Sequence, residues 1–187
     1  MMAPSSVVAT TGEDGKPYVR LHPSDKCRQT QFAAFLYPTT TSGWNQRPEA
    51  FVVALNSDRA VVRVPSSSGV QDHIINCSAG DSVGGGGYLL EGRVASVHRA
   101  PDGSLVRLFL AGGRKLADQE GKRPLLTGSQ VDQEVEVRLN GEELSITGRH
   151  TGLLTIYAPG ADAKKASLNG EPVSARRQGD YLVVGEE

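Results

Sequence analysis

The sequence predicts an all-β protein, an antiparallel β-sandwich of roughly ten to fourteen short strands, more than a single flat sheet holds before it curls or splits into two layers. Three observations carry that expectation. Hydrophobic residues make up 38% of the 187 residues and are accompanied by 22 Gly and 10 Pro, which suits many strands and turns and leaves no long stretch of helical period. Residues 131–184 alternate apolar and polar side chains between Asn-Gly and Gln-Gly pairs, the pattern of half-buried strands joined by tight turns. The length suits one sizeable core, so residues 17–187 are expected to form a single sandwich domain behind a lead-in over residues 1–16.

The register of the C-terminal part follows from its turns. Val135, Val137 and Leu139 alternate with charged residues up to Asn140-Gly141, a pair that tolerates positive φ at both central positions of a type I′ turn. With those two residues as the loop, Leu139 faces Glu142, Val137 faces Leu144 and Val135 faces Ile146, and the apolar side chains share one face. The same grammar returns at Leu168-Asn169-Gly170-Glu171 and around Gln178-Gly179. The end of the chain is expected to be a meander.

Upstream, Pro17–His22 alternates as a strand, and Gln31–Tyr37 is apolar on both sides of the alternation, as a central strand buried on both faces would be. Residues 38–48, with Trp44, read as a long polar loop. Ala50–Leu55 and Ala60–Val64 flank Asn56-Ser57-Asp58-Arg59 as a hairpin, and Val70–Cys77 supplies a further strand. Ser78–Gly87 ends in four glycines and is expected to be a flexible loop, because no Lys-Ser/Thr pair or helix start follows it. Tyr88–His98 and Ser104–Leu110 form a third hairpin around Ala100-Pro101-Asp102-Gly103. Gly112–Leu116 and Ala117–Ser129 read as polar excursions before the last strands.

Formal net charge is −1, so no overall field draws the protein to nucleic acid or to an anionic membrane. No apolar run approaches the roughly 18 residues needed to span a bilayer. Met1–Ser6 has neither the basic nor the apolar part of a signal peptide, and Val7–Thr11 looks like a strand entered midway, so an excised piece is preferred over a cytosolic chain. Cys27 and Cys77 are the only cysteines and have no CxxC spacing, which leaves one disulfide or two buried thiols open.

Chemistry-bearing residues are scattered. None of His22, His73, His98 and His150 stands two or four positions from another. A metal site would have to draw on distant strands, with Asp72, His73 and Cys77 beside His22 or Cys27, and no metal or cofactor is expected. No Gly-x-Ser-x-Gly elbow occurs, and the acids fall in turns and on polar strand faces.

The succession Tyr88-Leu-Leu-Glu-Gly92, Leu108-Phe-Leu-Ala-Gly-Gly-Arg-Lys-Leu116, Val135-Glu-Val-Arg-Leu139, Leu154-Thr-Ile-Tyr-Ala-Pro159 and Ala166-Ser-Leu-Asn-Gly-Glu-Pro-Val173 resembles the C-terminal β-sandwich of heparinase II/III-like polysaccharide lyases. Leu36-Tyr37-Pro38 after an apolar strand is similar to that family too. The likeness covers most of residues 17–184. It implies a non-catalytic accessory module, secreted or periplasmic, that supports an α/α toroid catalytic domain. No catalytic residue is carried over, because the family's chemistry rests mainly on a toroid and a His-rich entry strand that this sequence lacks. The resemblance implies an acidic polysaccharide as partner. Sugar contact calls for an aromatic face beside guanidinium groups. Trp44 and Tyr88 with Arg28, Arg47 and Arg114 are the candidates, and Tyr37, Tyr157, Tyr181 and Arg149 are further residues of the right kind. The rival readings are an independent carbohydrate-binding module, a small β-rich metal-dependent enzyme using His22 or His73, and an assembly domain with open sheet edges.

Overall fold

The computed structural model describes residues 6–11, 17–22, 48–78, 82–130 and 133–185. The chain divides into two compact units, Met1–Leu36 and Tyr37–Glu187. In the first, β1 (Ser6–Thr11) and β2 (Pro17–His22) form a two-stranded antiparallel sheet that pairs Ser6 with His22 and Thr11 with Pro17. The strand expected at Pro17–His22 thus takes its partner from the expected lead-in. The expected strand at residues 31–37 and most of the loop that follows lie outside the described residues.

The second unit is a two-layer β-sandwich. Its strands are β3 (Phe51–Leu55), β4 (Arg59–Ser66), β5 (Gly69–Asn76), β6 (Val83–Gly85), β7 (Tyr88–Glu91), β8 (Val94–Arg99), β9 (Leu105–Gly113) and β10 (Lys115–Asp118). They continue with β11 (Arg123–Gly128), β12 (Gln133–Asn140), β13 (Glu143–Arg149), β14 (Leu154–Tyr157), β15 (Ala166–Leu168), β16 (Glu171–Pro172), β17 (Ala175–Gln178) and β18 (Tyr181–Val184). Nine form one sheet in the order β16-β15-β13-β12-β9-β8-β5-β4-β3, and seven form the other in the order β17-β18-β14-β11-β10-β7-β6. No α-helix occurs among the described residues.

Period-two burial builds the core. Leu108 and Leu110 on β9 stand opposite Val137 and Val135 on β12, and Ile146 on β13 completes the row beside Val137. All five are fully buried. The facing layer contributes Leu90, Leu116, Leu126, Leu154, Ile156, Leu182 and Val184 to the same cluster. At the edge of the larger sheet, β3 leaves Phe51, Val52, Val53 and Leu55 largely exposed.

Several expectations are corrected. The run Tyr88–His98 is not one strand but two in different sheets, because Gly92-Arg93 carries the chain from β7 across to β8. The polar excursions over residues 112–129 are strands, and Leu116, Ala117, Leu125 and Leu126 lie at the centre of the core. The glycine run is a hairpin: Gly84 and Gly85 sit in β6, and the turn falls at Gly86-Gly87. The final strands are not a meander, since β14, β17 and β18 belong to the smaller sheet while β15 and β16 return to the larger one, where β15 runs parallel to β13.

The Asn140 turn also differs. Asn140 pairs with Glu143, Leu139 with Leu144 and Val137 with Ile146, so the loop is Gly141-Glu142, with positive φ at Gly141, as type II′ geometry requires of its first central residue. The partners move by two residues relative to the expected register. A shift of two preserves facing, so the apolar set stays inside. At Asn169-Gly170 both residues have positive φ and Leu168 pairs with Glu171, the type I′ turn that Asn-Gly favours.

The two layers pinch together where the chain crosses between them. Gly92 leads from β7 to β8, Gly113 leads from β9 to β10, and Arg114 N–H donates to Glu91 O at 2.9 Å. The backbones approach so closely that a Cβ on Gly113 would stand 2.2 Å from both Glu91 O and Gly92 Cα. Side chains are excluded there.

Candidate functional site

Two polar constellations stand out, one inside the sandwich and one on its outer face. The inner one starts from Asp72, only 3% exposed, which β5 turns toward the facing layer. Arg63, opposite it on β4, donates Nε–H to Oδ1 at 2.7 Å and Nη2–H to Oδ2 at 2.9 Å. Tyr88 of the facing sheet donates its hydroxyl to Oδ2 at 2.7 Å. A buried carboxylate needs such donors, since desolvation without partners costs several kcal/mol.

Asp118, at the end of β10, repeats the arrangement. Arg123 grips it with Nε–H to Oδ1 at 2.8 Å and Nη2–H to Oδ2 at 2.6 Å, and Arg99 donates Nη2–H to Oδ2 at 2.5 Å. The Arg123 guanidinium lies 4.9 Å from the centre of the Tyr157 ring, and Tyr181 meets that ring edge-on at 5.5 Å. The bidentate fork and the aromatic contact both favour Arg over Lys. These groups tie the two layers together.

Tyr88 was expected to face a sugar, and here the structure corrects the sequence reading. The residue is only 6% exposed and belongs to the core, because β7 points it inward at the Asp72 carboxylate. Burial and the bond to Asp72 push its phenol well above the ordinary tyrosine range, so it stays protonated near neutral pH and is no base. Tyr88→Phe is expected to remove one bond to a charged acceptor, at a cost of about 1.5 kcal/mol, read as a lower urea midpoint with unchanged m-value.

The outer constellation is set by the same alternation. On β9 the residues between the inward leucines are Arg107, Phe109 and Ala111, and on β12 they are Glu134, Glu136 and Arg138. Register lines them up. One row runs His98, Arg107, Arg138, Ser145, and the next runs His73, Ser96, Phe109, Glu136, Thr147. A third places Ala111, Glu134 and Arg149 side by side. Two open depressions of about 490 and 290 Å³ meet at Phe109 and Glu136, the larger reaching Arg149 and the smaller reaching His73 and Arg107. Burial, with the neighbouring Arg107, lowers the His73 pKa below its ordinary value, against the opposing pull of Asp72. The imidazole is neutral near pH 7.

Of the other expected site residues, Arg114 is exposed and donates Nε–H to Glu91 Oε2 at 2.9 Å. Neither depression is lined by it. Trp44, Arg28 and Arg47 lie outside the described residues. Among the described residues no group of three His, Cys, Asp or Glu side chains converges to hold a metal ion. Arg149 was among the wider set of sequence candidates, whereas Arg107 and Phe109 were missed. Their alternation with Leu108 and Leu110 was the available signal.

Fold and sites together define a two-layer β-sandwich protein with a charged, aromatic outer face. Compared with known proteins, the chain matches no family model, and no curated protein is significantly similar to it in sequence.

Proposed function

We propose that the chain is a non-catalytic accessory β-sandwich module of a heparinase II/III-like polysaccharide lyase, supporting a catalytic toroid and holding an acidic polysaccharide. The observation that carries this reading is the outer face of the larger sheet, where Phe109 lines one depression with Arg107 and an adjoining one with Arg149, and Arg138 stands across from Arg107. Rings match the apolar face of a sugar and guanidinium matches its anionic groups. The fold class agrees with the resemblance. The segments that carry it make up β7, β9, β10, β12, β14, β15 and β16, which lie in both layers. The inner ion pairs suit a supporting role, since they lock the layers and leave their carboxylates engaged.

Calorimetric titration of the chain with heparin, alginate and hyaluronan tests the reading. Heat of binding with at least one of them is expected. Silence with all three would remove the polysaccharide-holding role.

A further inference from the structure

The outer face carries an imbalance that singles out one residue. In the three cross-strand rows around Phe109, the guanidinium groups of Arg107, Arg138 and Arg149 stand with two carboxylates, Glu134 and Glu136. Glu136 holds an arginine in an ion pair, and Glu134 has one across from it in the register. Arg138 donates Nε–H to Glu136 Oε1 at 2.5 Å, and Glu134 stands directly across from Arg149. Among the described residues no carboxylate forms an ion pair with Arg107. Its cross-strand neighbours are Arg138 on one side and His98 on the other. Arg138 carries the same charge directly opposite it, an unfavourable arrangement in a sheet that an anion from outside would relieve. Phe109 is two residues further along the same strand and on the same face. Its cross-strand neighbours are Ser96 on one side and Glu136 on the other.

We propose that Arg107 and Phe109 form a uronate subsite, with the Phe109 ring receiving the apolar face of one sugar and the Arg107 guanidinium holding its carboxylate. This rests on the acidic-polysaccharide reading and narrows it. An arginine with, among the described residues, neither an ion pair nor a carboxylate across from it suits the one negative charge per sugar of a polyuronate. Glu134 and Glu136, flanking the groove, repel a densely sulfated chain, so carboxylate polymers are preferred over sulfate-rich ones. A guanidinium accepts a carboxylate through two parallel hydrogen bonds, which a lysine in its place would not reproduce.

The test is an amide NMR titration of the full 187-residue chain with a mannuronate tetramer from alginate, alongside the same tetramer with its carboxyls reduced to alcohols. Shifts are expected on β8, β9, β12 and β13. Arg107→Gln is expected to weaken the acidic tetramer about tenfold or more, the scale of a lost charged hydrogen-bonding group. The reduced tetramer should bind the parent chain and Arg107→Gln alike. Arg107→Lys should recover only part of the loss, and Arg114→Gln should change nothing. Thermal melting of each variant checks that the fold is intact. Equal binding by Arg107→Gln, shifts confined to another face, or no response to the tetramer while heparin still binds would each overturn the subsite and leave the polysaccharide reading standing. Absence of binding to heparin, alginate and hyaluronan together would overturn both.

Discussion

Gly113→Ala is expected to be among the most damaging single-methyl additions in the molecule. A Cβ there would meet Glu91 O and Gly92 Cα at 2.2 Å, and these are backbone atoms of the neighbouring crossover that no rotamer change can move aside. The crossover itself is anchored, since Arg114 N–H donates to Glu91 O, and Gly92 O accepts from Asn76 Nδ2 at 2.9 Å. Relief requires separating the two crossovers. Overpacking against fixed atoms costs about 3 kcal/mol or more, which in a domain of this size lowers Tm by roughly 6–12 °C. Gly160→Ala is the control, for nothing lies within 4 Å of its Cβ position and its φ is not positive. Calorimetric melting should separate the two variants clearly, and a Gly113→Ala protein that melts with the parent would refute the pinch.

Asp118→Ala is expected to have the second-largest effect, by leaving two guanidinium groups without the acid both were built around. Arg123 loses a bidentate pair and Arg99 loses its contact in the same step. Breaking a fully buried pair costs about 3–5 kcal/mol. Solvent still reaches 24% of the Arg99 side chain and 30% of Arg123, so a loss of about 2–3 kcal/mol is expected after screening. Urea denaturation measures it. Arg99→Ala in the Asp118→Ala background should then cost little, because the pair no longer exists to be broken. Additive losses would mean that the two residues act independently.

The inward-facing residues were legible because burial alternates with period two, as at Leu108, Leu110, Val135 and Val137. Layer membership was not. Tyr88–His98 reads as one strand because both layers present a single apolar face, so Leu90 and Ala95 look alike in sequence while lying in opposite sheets. The strands β10 and β11 were hidden for a different reason. Their buried leucines are flanked by Asp118, Gln119, Glu120, Lys122 and Arg123, and this polarity marks a turn and an internal ion pair rather than a loop. The Asn140-Gly141 pair signalled a hairpin correctly but not which residue opens it. At the outer face, Arg107 and Phe109 were visible as alternating positions, yet their neighbours Arg138 and Glu136 come from β12. Only the cross-strand register reveals the unbalanced charge.

The interleaving of the layers has a kinetic consequence. The smaller sheet draws its strands from β6-β7, β10-β11, β14 and β17-β18, and Leu182 and Val184 of β18 are fully buried beside β14. That layer is complete only once β18 has docked beside β14. Contacts between residues distant in sequence dominate such a topology, and acquisition of native structure belongs in the millisecond-to-second range typical of all-β sandwiches.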